Sequence, residues 1–401
     1  MARGRTTAAP VSRAAALAYR LAAHDLVEPV TGWPGVLEVG VRDSPPGSTV
    51  PPALRSRSTS GADPYADADL ALVHGVRGAM HLHRAADLPS LAAALRPDDA
   101  AELLVSTHGP FFQERAAEGL PVGEVFDVVA AAMARVMADG RERTKGELSG
   151  AVTPLVPAPV APWCGGCGAH HVHDGLFRMA SLQAGLRLRP AGLALPGLRG
   201  SQAHSPPPAG PGSAIFLPAP TGEVPAAGAA RGSGACRRSW VRRFLRRCGP
   251  TTPGALAAWL GLAPPAARRW WSPLKDELTE VRVEEQRLWV HRDDLDALTG
   301  AGPPVGVLLL APYDPILEIA ERSLLLPDPT RRRQVWRAVA NPGVLLIDGE
   351  VAGVWRRRRS SARVAVTVTG FAPLPDRRRR AVVAAAEAMF VPTAVTVGFE
   401  S

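Results

Sequence analysis

Residues 237–294 read RRSWVRRFLRRCGPTTPGALAAWLGLAPPAARRWWSPLKDELTEVRVEEQRLWVHRDD. Three helical patterns follow one another closely, at 237–249, 251–261 and 263–278. Residues 280–294 then alternate apolar and polar like a hairpin around the turn Glu284-Glu285-Gln286-Arg287. Three helices and a two-stranded wing of this size predict a winged helix. In such a module the third helix can enter the major groove while the wing touches backbone or minor groove. Here the third helix carries Arg268, Arg269, Trp270, Trp271 and Lys275, and the first carries Arg242, Arg243, Arg246 and Arg247. The two tryptophans serve equally well as core, and winged helices also serve as protein-binding modules.

The order helices-then-strand-pair also precedes this stretch, twice. Residues 12–23 are spaced as a helix with Ser12 as N-cap, DLALVHGVRGAMHLH (69–83) alternates like a strand pair, and Asp87 is expected to cap a short helix. A second round has helical patterns at 122–140, 143–152 and 173–186, then LRLRPAG, a Pro/Gly/Ser stretch at 200–213 and AIFLPAP. After residue 303 the chain becomes strand-rich, with one helix from about Asp376 to Met389. The expected fold class is therefore α+β: tandem winged helices over 1–110, 111–225 and 226–302, and a small barrel-like β domain over 303–401. Within that last domain, GEVAGVWRRRRSSARVAVTV (349–368) reads as a hairpin with Arg356, Arg357, Arg358 and Arg359 at its tip. Such a tip can place planar cations in a minor groove, or can be a solvated turn that keeps strand edges from pairing.

At 401 residues the chain has room for two to four domains. The net charge of +9 points to a polyanionic partner. Only Lys145 and Lys275 among the 46 basic residues are lysines, so part of that charge reflects arginine-rich codon usage. The N-terminus, MARGRTTAAPVSRAAALAYRL, carries charge without a sustained apolar run, and no segment approaches the roughly 18 apolar residues of a membrane span. A cytoplasmic, nucleoid-associated monomer is expected, without membrane contact.

Four cysteines, Cys164, Cys167, Cys236 and Cys248, are too few for a disulfide framework. CGGCGAHHVH invites a zinc reading through Cys164, Cys167 and one of His170, His171 and His173, but a second ligand pair is missing. The expectation is a structural loop before a helix at Asp174, with no metal and no cofactor. No G-x-S-x-G, G-x-x-x-x-G-K or H-E-x-x-H motif occurs. The remaining chemistry lies in EVGVRDSPPGS, with Arg42, Asp43 and Ser44, and in Arg77 and His81 of the strand pair. A carboxylate such as Asp43 can orient a water and an arginine can stabilise an anion; Asp43 is equally a turn or helix cap.

LLAPYDPIL (309–317), LLLPDPTRRRQVW (324–336), LIDGEVAGVWR (346–356) and RGAMHLHRAADLPSL (77–91), in their order along the chain, resemble the AlkZ-like family of winged-helix DNA glycosylases, in its actinobacterial branch. The resemblance implies a metal-independent, monofunctional enzyme on double-stranded DNA that releases N7- or N3-alkylated purines, including crosslinked ones, and can confer antibiotic self-resistance. It also implies a hairpin that reaches the minor groove, for which Arg356 to Arg359 are the candidates. The family places its water with a glutamine-containing motif in the first domain. The matching stretch here, LEVGVRDSPPGS (37–48), has no glutamine, and Arg42 stands there instead. Either Asp43 works alone, with Arg42, Arg77 and His81 nearby, or the protein binds DNA as a regulator or damage binder without turnover.

Overall fold

The computed structural model describes residues 9–191, 213–219, 234–302, 304–359 and 363–400. The first eight residues, the Pro/Gly/Ser stretch up to residue 212 and residues 360–362 lie outside them.

A short strand, β1 (Ala9–Val11), leads into α1 (Arg13–Ala23), where the Ser12 hydroxyl accepts the Ala15 amide at 3.1 Å as an N-cap. The chain continues through β2 (Val41–Arg42), α2 (Val50–Arg55), the antiparallel pair β3 (Leu70–His74) and β4 (Met80–Arg84), and α3 (Leu88–Leu95). Asp87 stands at the N-cap position of α3 but makes no cap; its carboxylate meets Arg243 at 2.8 Å. Short helices α4 (Val105–His108) and α5 (Phe111–Ala117) precede α6 (Val122–Met137), whose Val125, Phe126, Val129, Met133 and Met137 bury one face at helical spacing. Next come β5 (Arg143–Thr144), α7 (Lys145–Val152) with a Thr144–Glu147 capping box, the small hairpin β6 (Trp163–Cys164) and β7 (Ala169–His170), α8 (Asp174–Gln183), β8 (Arg187–Pro190) and β9 (Ala214–Leu217).

Six of these strands join in the order β2-β4-β3-β8-β9-β5, with Leu72 opposite Leu188 at the seam. The segments 1–110 and 111–225 thus share one sheet. The decisive stretch folds as α9 (Gly234–Cys248), α10 (Pro253–Leu260), α11 (Pro264–Trp271) and the hairpin β10 (Leu278–Val283) and β11 (Gln286–His291). Val283 pairs with Gln286, so the turn is the two residues Glu284-Glu285, narrower than the expected four. Trp270 and Trp271 are both buried in the core. β1 adds to β10 in parallel and completes a three-stranded sheet.

After α12 (Leu295–Gly300) come β12 (Val307–Leu310), α13 (Pro315–Glu318), α14 (Arg322–Leu325), α15 (Pro329–Val335), β13 (Gly343–Ile347), β14 (Glu350–Arg359), β15 (Arg363–Gly370), α16 (Asp376–Phe390) and β16 (Ala394–Glu400). The five strands form one sheet in chain order, the last pair parallel. β12 and β16 do not pair among the described residues; α16 packs against both, so a helix covers an open sheet where a barrel was expected. The arginine run also departs from expectation. Arg356 to Arg359 are not at the turn but within β14, opposite Thr367, Val366, Ala365 and Val364, so they alternate between two faces.

One short segment ties the ends of the chain together. Arg20 reaches Glu321 at 3.2 Å, Arg42 reaches Glu318 at 2.7 Å, and Arg57 reaches Asp314 at 2.7 Å. The last pair is wholly buried, and Arg57 also donates to the carbonyls of His24 and Ala53. No helix among the described residues is long and apolar enough to cross a membrane.

Candidate active site and DNA-facing residues

β2 ends the shared sheet, with Arg42 opposite His81 of β4. From there the Arg42 guanidinium lies 4.4 Å over the Tyr313 ring and bonds Glu318 Oε1 at 2.7 Å. Arg77 bonds the other oxygen of Glu318 at 3.0 Å. Arg322 completes the group; burial lowers its pKa, and its charge interacts with Glu318 and Arg77. Two guanidinium groups thus grip one carboxylate, the Arg42, Arg77 and Glu318 side chains being 27%, 25% and 11% exposed, while Arg322 lies over the Trp336 ring. Arg77 and Tyr313 hold φ near +58° and +59°, a left-handed conformation that non-glycine residues rarely adopt. Such strain costs on the order of 1–3 kcal/mol and concentrates at functional sites.

Asp43 lies one residue on and faces a different set of groups. Its Oδ1 accepts the amides of Ser48, Thr49 and Val50 at 3.0, 3.1 and 3.4 Å; its Oδ2 accepts the Gly47 amide at 2.6 Å and the Tyr65 hydroxyl at 2.7 Å. Two carboxylate oxygens offer about four lone-pair sites, so this acceptor capacity is full. The residues after Val50 explain the arrangement. Pro51 and Pro52 have no amide hydrogen, so the donors that α2 does present at its start all turn to Asp43. Burial and the neighbouring Asp43 hold the Tyr65 phenol well above its usual pKa, so it stays protonated and donates to the carboxylate.

His81 is buried with Nδ1 3.0 Å from the Ala79 carbonyl, and burial pushes its pKa down to about 3. It is therefore neutral at neutral pH. The structure brings Arg42 and Arg77 together on Glu318, leaves His81 opposite Arg42 on the next strand with its ring bonded to the Ala79 carbonyl, and sets Asp43 in a separate network. Glu318, Tyr313 and Arg322 escaped the sequence reading; their stretch carried a family signature but no local chemical motif, and Glu318 is 276 residues from Arg42.

The basic residues divide into two groups. Arg242 is held by Glu277, Arg243 by Asp87, Arg247 by Glu38, and Arg269 by Glu102. Arg356 donates to the Ala340 carbonyl. Arg357 is folded back: it donates to the Ser48 carbonyl at 2.5 Å, lies 5.5 Å from the Phe390 ring centroid, and has its pKa lowered by burial. Arg246, Arg268, Lys275, Arg358 and Arg359 are exposed and make no side-chain hydrogen bond or ion pair among the described residues. Arg357 and Arg359 also line a cavity of about 270 Å³ together with Trp33, Ser48, Tyr65 and Phe390; Arg42 and Glu318 do not line it.

The remaining polar cluster is the hairpin β6–β7, which brings Cys164, Cys167 and His171 together. Cys236 and Cys248 are on α9, outside it.

This mixed α+β arrangement is shared with Streptomyces sahachiroi DNA glycosylase AlkZ, with a TM-score of 0.68 over 97% of this chain and 100% of that one. At 20% identity the likeness is one of fold. The profile of the DNA glycosylase AlkZ-like family matches residues 51–390, and the chain belongs to that family. A curated relative, the Streptomyces sahachiroi interstrand DNA cross-link repair glycosylase, is 32% identical over 121 residues. That match covers 29% of this chain and spans about a third, 32%, of the relative's length.

Proposed function

We propose that this protein binds duplex DNA and hydrolyses the N-glycosidic bond of N7- or N3-alkylated purines, crosslinked ones included; support comes from the family and from a curated relative named an interstrand DNA cross-link repair glycosylase. An N7- or N3-alkylated purine is already cationic while attached, so it takes the bonding electron pair, departs as a neutral base and needs little general-acid help. The protein's task is then to hold a water near C1′ and to balance the charge of an oxocarbenium-like sugar. The observation that carries the assignment of roles is the contrast between the two carboxylates. Asp43 has no acceptor site left for water, whereas each oxygen of Glu318 takes one guanidinium bond and keeps a lone pair. On this reading Glu318 orients the water, Arg42 and Arg77 hold Glu318 and meet the phosphates beside the lesion, and Asp43 fixes the loop.

Residues 234–291 act as a winged helix, with Arg246, Arg268 and Lys275 on the duplex and Arg358 and Arg359 reaching it from β14. The helices before each earlier strand pair are read in the same way, over 1–110 and 111–225, and residues 303–401 as the C-terminal β unit. The protein is expected to act as a monomer at the nucleoid.

A second reading, DNA binding without turnover, is favoured by one observation: both Glu318 oxygens are engaged by arginine, which competes with a water for them. Single-turnover release of an N7-alkylguanine from a synthetic duplex, read as abasic sites, separates the two. Release by the wild type that falls by about 100-fold or more in Glu318→Gln, at unchanged DNA affinity, supports the glycosylase and the role of Glu318. No release from N7 or N3 adducts by a DNA-binding wild type establishes the second reading, and undiminished release by Glu318→Gln removes Glu318 from the chemistry.

A further inference from the structure

Residues 163–171 form a hairpin that its own packing explains only in part. Trp163 pairs with His170 and Cys164 with Ala169, the Trp163 and His170 rings meet edge to face at 5.3 Å, and the His171 and His173 amides reach the Pro162 and Val160 carbonyls. Trp163 is 60% exposed and Cys167, Gly168, Ala169 and His170 are exposed as well. A two-stranded hairpin this short and this exposed is marginal on its own in water, and a bound ion would add to it.

The turn is shaped around Cys164. The Cys164 carbonyl accepts the Cys167 and Gly168 amides at 3.2 and 2.9 Å, and Gly168 takes φ +61°, which lets the chain reverse. His171 follows the second strand with Nδ1 2.8 Å from the Val172 carbonyl. That bond fixes the ring proton on Nδ1 and leaves Nε2 with its lone pair, the arrangement metal-binding histidines adopt. Nε2 is buried and has no hydrogen-bond partner. The ligand atoms of Cys164, Cys167 and His171 all lie within 4.8 Å of one another. A tetrahedral zinc with Zn–S of about 2.3 Å and Zn–N of about 2.0 Å needs edges of roughly 3.5–3.8 Å, within reach of small side-chain rotations.

We propose that Cys164, Cys167 and His171 bind one thiophilic divalent cation, Zn(II) by preference, through two thiolates and Nε2, with solvent in the fourth position. Both thiols give their protons to solvent as the metal binds, and the two thiolate charges balance the cation. The expectation of a metal-free loop rested on the missing second ligand pair; three protein ligands and a water form a complete shell without it. The ion staples the hairpin to the start of α8. In that helix the Ser181 hydroxyl donates to the Arg178 carbonyl and accepts from His74 Nδ1 of β3 at 2.9 Å, and Arg178 packs against Gly78 beside Arg77. The staple therefore sits one helix away from the candidate active site.

The test is titration of the full-length, reduced, metal-stripped protein with Co(II). The expected result is uptake of about one ion per chain with intense near-ultraviolet thiolate-to-cobalt absorption and visible bands of tetrahedral coordination, displaced by Zn(II). Cys167→Ser, at an exposed position that the fold tolerates, and His171→Asn should each abolish these bands, while Cys236→Ser keeps them. Absence of stoichiometric uptake by the folded wild type overturns the proposal, as does uptake whose spectrum survives Cys167→Ser.

Discussion

Replacing Asp43 with asparagine changes one atom and tests whether the residue holds a loop or does chemistry. The three bonds to Oδ1 survive if the amide oxygen takes that position, but without the full negative charge. The new NH2 group then faces the Gly47 amide, a donor against a donor, and Tyr65 must turn its hydroxyl to accept. A hydrogen bond to a charged group is worth about 1.5–3 kcal/mol against about 0.5–1.5 for a neutral one, and an orphaned buried donor costs about 1–3 kcal/mol. One bond lost and several weakened amount to a destabilisation of about 2–4 kcal/mol, or a fall in unfolding temperature on the order of 5 °C. The assay pairs thermal unfolding with single-turnover base release measured well below both transitions. We expect Asp43→Asn to melt early and, where still folded, to retain release; Tyr65→Phe should show a smaller shift of the same sign. An Asp43→Asn protein that melts with the wild type yet releases no base would refute this reasoning and return Asp43 to the reaction.

Three further outcomes follow from other parts of the molecule. Arg57→Ala leaves Asp314 charged and buried, which should cost about 3–5 kcal/mol in urea unfolding, whereas Arg57→Met with Asp314→Leu should recover most of the loss; equal losses in both variants contradict this. Burial pushes His74, His81 and His83 down to about 3 from 6.5, so the native state keeps them neutral while the unfolded chain takes up protons. Their contribution is whole above pH 6.5 and is lost as pH falls from there toward 3, so the unfolding temperature should drop between pH 7 and 5; a flat profile argues against burial of all three. Arg246→Ala, Arg268→Ala and Arg358→Ala should each lower the slope of log affinity against log salt by about 1, while Arg247→Ala, which breaks bonds to Glu38 and the Ala23 carbonyl, should lower stability and leave the slope. Unchanged slopes for all three free arginines would mean that DNA lies elsewhere.

Much of the local structure was legible in advance because it is encoded over a few residues. Ser12 caps α1, the apolar stripe of α6 buries one face, and three helices and a hairpin follow from residue 234 in the expected order. Each depends on contacts three or four residues apart, or across a short turn. The family too was readable, from short signatures in a fixed order.

What the chain does with those elements was not. The shared six-stranded sheet, the addition of β1 to the wing and the helix-covered sheet at the C-terminus are choices among distant partners, decided by total burial and backbone pairing. Charge was the least readable. Arg357 looked like its neighbours in sequence but lies on a strand face turned toward Ser48 and Phe390, while Arg356 bonds the Ala340 carbonyl from an exposed position. Arg42 and Asp43 are adjacent, yet strand alternation sends one to a glutamate from the far end of the chain and the other into the turn that starts α2. Sequence by itself determined which elements form and which family they belong to. Only the tertiary structure decided which charges face each other, because an ion pair's partner is set by where the backbone places two side chains in space.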